Sequence, residues 1–416
     1  MSIQSIRGIN DVLPDETTTW NHIERTARNL FEDFGLLEIR IPILEKTLLF
    51  SRSIGESTDI VEKEMYSFED KGREQVTLRP EGTASVVRAY IQHRLYHPPS
   101  LVKLYYLGPM FRYERPQAGR YRQFYQIGVE AFGVNDPALD AEILSMLVEL
   151  FRRLGVEGVR LQLNTIGCSL CRPHFRAALQ GYLEDGLAEL CPDCRRRSSQ
   201  NPLRTLDCKQ EGCRQKLIHA PEIADFLCPA CIRHFQRVQE MLSALAIPFQ
   251  VNPRMVRGLD YYTRTTFELT SDLLGAQDAV AGGGRYDGLV EAMGGPPTPA
   301  IGFALGMERL VALLNHLGKT PLRSGPLAFV ATLGDQAERK AFELLGSLRK
   351  AGITAERDYA NPSLKSQLRK ANRLQAHYAI LIGEEELSNG KASIRNMSSK
   401  EQIQVPFDQV ASWIKP

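Results

Sequence analysis

Eight cysteines lie between residues 168 and 231, in four close pairs: Cys168 and Cys171, Cys191 and Cys194, Cys208 and Cys213, Cys228 and Cys231. A two-residue spacer lets both thiolates of a pair reach one tetrahedral ion. The eight sulfurs could therefore furnish two four-thiolate sites or one site with spares, and a zinc held by them would be structural. In a reducing compartment this spacing points to metal ligands more readily than to disulfides, the plain alternative being small buried free thiols. A second grouping is RGLDYYT, Arg257 to Thr263, where a glycine-hinged arginine, an aspartate and two adjacent tyrosines sit before a strand-like run. Arg257 could act on a ligand or simply pair with Asp260. A third is RYERPQAGRYR, which gathers Arg112, Arg115, Arg120 and Arg122. Guanidinium groups offer paired donors to phosphate oxygens. Neither a P-loop nor a dinucleotide-binding GxGxxG follows a first strand, and no hydrolase signature occurs. AGGGRYDG is glycine-rich and by default a turn.

The elements that must position these residues follow from periodicity. In RQFYQIGVEAFG, Tyr125, Ile127, Val129 and Ala131 share one face of a strand, and Phe124, Gln126, Gly128 and Glu130 the other. With LVKLYYLGPMFRYE this forms a long hairpin whose polar face is either a binding floor, with Gly128 admitting a ligand, or a face toward bulk water. The run LLEIRIPILE is β-rich, but Pro42 confines it to a sheet edge, where another subunit could pair. QVTLRPEGTASVVRAYIQ reads as a strand turning at Pro80 into a helix. WNHIERTARNLFEDFG and DAEILSMLVELFRRLG read as amphipathic helices.

The cysteine segment is mostly helical in pattern and interrupts two β-rich regions, so residues 166–248 read as an insertion between the two parts 1–165 and 249–317 of one domain. A turn-forming linker, 318–326, precedes a βαβαβ alternation over 327–416, a separate small α/β domain. In its second helix Lys365, Arg369 and Arg373 form a basic stripe, a pattern shared with solvated helix faces. At 416 residues, 43% hydrophobic and 24% charged, the chain suits two or three globular domains. A formal net charge of +2 leaves nucleic-acid contacts to local patches. No apolar run is long enough to span a bilayer and no signal-like segment opens the chain, so a cytoplasmic protein without membrane contact is expected.

Three stretches resemble the motifs of class II aminoacyl-tRNA synthetases: GLLEIRIPILE the first, at the dimer interface, GPMFRYERPQAGRYRQFYQIGVEAFG the second, and AIGFALGMERL the third. Within that class TLRPEGT and RGLDYYT together resemble the histidyl-tRNA synthetases, and AGGGRYDG and RGINDVLP fit the same family. The resemblance spans the chain outside the cysteine segment. It implies an α+β fold: an antiparallel catalytic sheet of six to seven strands flanked by helices, the cysteine-rich helical insertion, and a C-terminal α/β anticodon-binding domain. It implies a homodimer that activates L-histidine with ATP and Mg2+ and transfers it to histidine tRNA. By the same resemblance Arg112 and Arg257 are catalytic, clamping the α-phosphate from two sides, and Arg309 joins Arg112 on ATP. Glu81, Gly82, Thr83, Gln126, Glu130, Arg257, Tyr261 and Tyr262 surround histidine, while Arg115, Gln117 and Arg120 meet the tRNA acceptor end. A non-catalytic relative, the regulatory subunit of ATP phosphoribosyltransferase, is the rival; it is expected to lack the C-terminal domain and the intact motifs found here. Metal ligation is not implied by the family and rests on cysteine spacing alone.

Overall fold

The computed structural model describes residues 3–55, 58–117, 119–321, 325–360 and 363–414. Ala118 of the arginine-rich loop and Leu322 to Ser324 of the expected linker lie outside them. The chain divides into two compact units, residues 1–321 and 322–416.

The strands of the first unit are β1 (Leu37–Glu38), β2 (Leu44–Lys46), β3 (Tyr66–Glu69), β4 (Gln75–Leu78), β5 (Val102–Phe111), β6 (Gln123–Phe132), β7 (Arg160–Thr165), β8 (Phe249–Val251), β9 (Thr263–Thr270), β10 (Ala279–Arg285) and β11 (Ala300–Gly306). Eight form one sheet in the order β1-β5-β6-β11-β10-β9-β7-β8, and β2-β4-β3 form a small second sheet. The six central strands are antiparallel throughout, and the short edge strands β1 and β8 pair in parallel, which takes the sheet beyond the expected six to seven strands. LLEIRIPILE is not one strand. Pro42 falls in the break between β1, at the edge of the large sheet, and β2 in the small one, because proline has no amide to give a ladder.

AGGGRYDG departs further from expectation. Gly282, Gly283 and Gly284 lie in the central strand β10, paired on both sides, and only Gly288 falls in a turn. β5 and β6 form the long hairpin. One face of the sheet is covered by the helices Pro14–Asp33 and Pro137–Arg153. The first begins with a proline in its first turn, where no amide is needed, and buries Ile23, Ala27, Leu30 and Phe31. The second is capped by the Asp136 carboxylate, which accepts the Ala138 amide at 2.8 Å. Ile127, Val129 and Ala131 of β6 are fully buried in this core, each large side chain contributing roughly 1.5–3 kcal/mol.

The expected insertion divides in its packing. Phe175, Leu179, Leu183, Leu190, Leu217 and Ile223 form a small core of their own. The helix Pro229–Ala244 instead places Val238 and Leu242 in the main core. Its His234 Nε2 lies 2.8 Å from Asp140 Oδ2, and Asp140 Oδ1 accepts from the fully buried Arg285.

In the second unit β12 (Ala328–Thr332), β13 (Ala355–Arg357), β14 (Tyr378–Ile382), β15 (Lys391–Asn396) and β16 (Gln402–Pro406) form a sheet in the order β13-β12-β14-β15-β16. The first three are parallel and match the βαβαβ alternation; β15 and β16 are added antiparallel. Among the described residues no helix is long and apolar enough to cross a membrane.

Candidate active site

The other face of the large sheet, packed in part against Val86, Val87 and Tyr90 of the helix Thr83–Gln92, holds a row of residues in register across five strands. Tyr106 on β5 stands opposite Gly128 on β6, which is opposite Ala304 on β11, then Gly282 on β10 and Glu268 on β9. Three small residues between two large ones make a trough. A Cβ at Gly82 or at Gly128 would lie 2.2 Å from the Tyr106 ring, so both glycines admit that ring. What approaches Gly128 is therefore Tyr106, not open ligand space. Gly282 likewise admits the Arg257 guanidinium, whose Nη1 would meet a Cβ there at 2.5 Å. Arg257 Nη1 donates to Glu268 at the trough's far wall.

Above this floor lies a cavity of about 340 Å³. Glu81, Thr83, Arg112, Arg120, Gln126, Glu130, Arg257, Tyr261, Tyr262 and Arg309 all line it. Of the remaining expected residues, Gly82 lies behind Tyr106, and Arg115 and Gln117 are exposed on the hairpin loop outside the lining.

Glu81 is buried at the start of the helix Thr83–Gln92, where its carboxylate accepts the amides of Thr83 at 2.7 Å and Ala84 at 2.8 Å. Burial raises its pKa against those two donors. Glu130, 1% exposed, accepts from Thr83 Oγ1 at 2.6 Å and from the Tyr286 hydroxyl. Desolvation dominates there and pushes its pKa to about 8, against the two hydroxyl donors that favour the anion. Gln126 Oε1 and Arg257 Nε are buried and have no partner among the described residues, donors and acceptors left for a ligand. Arg112 donates Nε to Pro80 O at 2.9 Å and lies over the Phe124 ring, 5.2 Å from its centroid. Arg309, from the helix Met307–His316, donates Nη1 to Ala279 O at 2.5 Å. Beside it Glu308 accepts the Tyr125 amide at 2.9 Å, and burial raises its pKa to about 7.

Strict alternation would send Tyr261 and Tyr262 to opposite faces. The chain instead bends and turns over 258–261 before β9 begins at Thr263, and both rings line the cavity with centroids 4.8 Å apart. Asp260 does not pair with Arg257: its Oδ1 accepts from Asn201 Nδ2 at 3.0 Å. Tyr106, Tyr286, Glu268 and Glu308 belong to the site without having been singled out in the sequence. The alternation of β5 and β9 could have placed Tyr106 and Glu268 on the floor face, had their register with β6 and β10 been known.

The cysteines sort into two groups, Cys168, Cys171, Cys228 and Cys231, and Cys191, Cys194, Cys208 and Cys213, each with its sulfurs within 4.8 Å of one another. The sulfurs are 3.6 Å apart for Cys168 and Cys171, 4.0 Å for Cys168 and Cys228, and 3.9 Å for Cys191 and Cys208. A tetrahedron with metal–sulfur bonds of about 2.3 Å has edges of about 3.8 Å, so either group could hold a metal ion. Backbone amides point at the sulfurs, from Cys191 to Cys213 at 3.2 Å and from Cys228 to Cys171 at 3.1 Å. In the second unit Lys365 and Arg369 line a groove with Leu368, Asn372, Arg395 and Lys400, whereas Arg373 is exposed outside it.

Comparison with known proteins places the whole chain. A family model described as histidyl-tRNA synthetase matches residues 8–310, and one described as anticodon binding domain matches residues 328–416. A histidine–tRNA ligase of Trichlorobacter lovleyi is 54% identical over 98% of this chain and 97% of its own length; one of Geobacter metallireducens is 53% identical over 98% of each. The crystal structure of apo S. aureus histidyl-tRNA synthetase superposes with a TM-score of 0.85 at 39% identity, covering 100% of both chains.

Proposed function

The chain belongs to the histidyl-tRNA synthetase family, and from that premise we propose which of its own residues perform each part of the work. The activity is histidine–tRNA ligation: L-histidine and ATP give histidyl-adenylate and pyrophosphate, and the histidine passes to the 3′ end of histidine tRNA. Relatives near 50% identity over the full chain bear that name, which favours the enzyme over the regulatory-subunit reading.

In our reading Glu81, Thr83 and Gln126 take the ammonium group of histidine, and Glu130 and Tyr262 take the two imidazole nitrogens, with Tyr261 as the wall. A pair of this kind rejects side chains that lack a ring donor and acceptor, because the buried groups would be left unmatched. Gly82 serves by admitting Tyr106. Arg112 and Arg257 flank the α-phosphate, whose negative charge grows as the carboxylate attacks. Fixed cations on both sides stabilise that charge while holding carboxylate and phosphorus in line. Arg309 meets the adenine or γ-phosphate side of ATP, and Mg2+ accompanies the phosphates. Arg115, Gln117 and Arg120 approach the acceptor end, and the basic groove of the second unit faces the anticodon.

The domain reading is a catalytic unit in two parts, 1–165 and 249–317, an inserted domain within 166–248, a linker at 318–326 and an anticodon-binding domain at 327–416. Each four-cysteine group holds a structural zinc ion, a closed tetrahedral set that supplies folding energy rather than chemistry. A homodimer in the cytoplasm completes the picture; β1 at the sheet edge with exposed Leu37, Ile43, Leu44 and Leu48 nearby supports the dimer.

The observation that most supports these roles is the convergence of Arg112, Arg257, Glu81, Gln126 and Glu130 on one cavity. Arg257→Ala should lower histidine-dependent ATP–pyrophosphate exchange by about 100-fold or more while histidine binding changes little. Near-normal exchange in that variant would remove Arg257 from the phosphate.

A further inference from the structure

The turn bearing Arg257, Tyr261 and Tyr262 has little support from its own backbone. Over residues 256–262, outside any strand, one backbone-to-backbone hydrogen bond is made among the described residues, from the Asp260 amide to Ile54 O at 3.3 Å. Leu259 packs against Phe50, Ile54 and Ile60, Tyr261 against the cluster of Tyr106 and Tyr286, and Arg257 donates to Glu268; the inserted region grips the turn from the other side. Arg204 Nη2 donates to Gly258 O at 2.5 Å, and its Nε lies 3.7 Å from Asp260 Oδ1. The same carboxylate oxygen accepts from Asn201 Nδ2 at 3.0 Å. On its other side Asp260 Oδ2 lies 2.6 Å from where a Cβ at Gly55 would be, so the carboxylate is wedged between the insertion and the end of the helix Thr47–Ile54. Neighbouring arginines tie the insertion to the adjoining segment: Arg197 Nη2 donates to Asp59 at 3.0 Å, and Arg196 lies 3.6 Å from Glu62.

We propose that Asn201 and Arg204 are positioning residues for histidine activation: through Asp260 and the Gly258 carbonyl they hold the turn that aims Arg257 and the two tyrosines into the cavity. This rests on the reading of Arg257, Tyr261 and Tyr262 given above. Seating of the insertion thereby becomes a condition of adenylate formation, even though no insertion residue beyond Asp207 and Lys209 lines the cavity. Any ligand that favours a different insertion position would weaken activation by the same contacts.

The test uses the full chain and histidine-dependent ATP–pyrophosphate exchange, with kcat and KM for histidine separated and thermal stability recorded. Arg204→Ala should lower kcat/KM for histidine by about 10- to 100-fold, the scale of a displacement of about 1 Å at the reacting groups, with the melting temperature near that of the parent. Arg204→Lys should recover much of the loss, since an ammonium still donates to Gly258 O. Asn201→Ala should add little to Asp260→Ala, because the two act as one contact. Exchange within about two-fold of the parent in Arg204→Ala overturns the proposal, as does a loss that tracks melting temperature and is additive with Asp260→Ala. Arg257→Ala is measured alongside. If it retains exchange, the site reading fails and the positioning role with it; if it loses exchange while Arg204→Ala does not, the positioning role alone falls.

Discussion

Replacing Glu130 by glutamine keeps the shape of the pocket floor and removes a titrating group from it. In the folded chain this carboxyl is 1% exposed and its pKa is raised from 4.5 to about 8. Between those values the folded protein holds a proton that the unfolded chain has released. Stability from this group is therefore fully present below pH 4.5, falls as pH rises toward 8, and is level above. Integrated over the window, the loss is on the order of 5 kcal/mol for the parent and absent in Glu130→Gln. Against this, the amide nitrogen of glutamine faces either the Thr83 or the Tyr286 hydroxyl in place of an acceptor, a cost of about 1–2 kcal/mol at every pH. The parent should thus be the more stable protein near pH 5 and the variant the more stable near pH 9. Trp20 sits in the first unit's core and Trp413 in the second unit, so urea unfolding in a Trp413→Phe background reports on the unit that contains Glu130. A stability difference between parent and variant that stays constant from pH 5 to 9 would refute the reasoning.

Gly128→Ala sets a methyl group 2.2 Å from the buried Tyr106 ring; the variant should lose about 1–3 kcal/mol in unfolding experiments and bind histidine more weakly in calorimetry. Elemental analysis of the purified chain should find ~2 zinc ions, and ~1 in Cys191→Ser, whereas no stoichiometric metal would refute the four-thiolate sites. Removing residues 327–416 should depress tRNA charging far more than pyrophosphate exchange, and equal losses would argue against the assigned division of labour.

Local periodicity made the polar face of β6 legible, because its alternation is a property of one strand. The row from Tyr106 to Glu268 was not, since it depends on the register of five strands joined by distant connections. AGGGRYDG misleads for a related reason: glycines that look like a turn sit in a central strand, one of them leaving room for a guanidinium from elsewhere in the chain. Tyr262 reaches the cavity through a turn that strict parity cannot foresee. Cysteine spacing pointed to metal-like pairs but not to which pairs share a site, for only the folded insertion brings residues 168 and 171 to 228 and 231.

That meeting of sulfurs also says something about how the molecule can be altered. The Cys168 and Cys228 sulfurs are 4.0 Å apart, so the segment that follows β7 and the start of the helix Pro229–Ala244 lie side by side. The segment between Cys171 and Cys228 is closed at this root and rests on the unit below through Arg197 on Asp59, Asn201 on Asp260 and Arg204 on Gly258. Lengthening such a lobe leaves its ends where they are and adds only slowly growing closure entropy. Closure entropy alone therefore sets little limit on the length of chain carried between these ends. A replacement would have to restore the contacts that Arg197, Asn201 and Arg204 make with Asp59, Asp260 and Gly258.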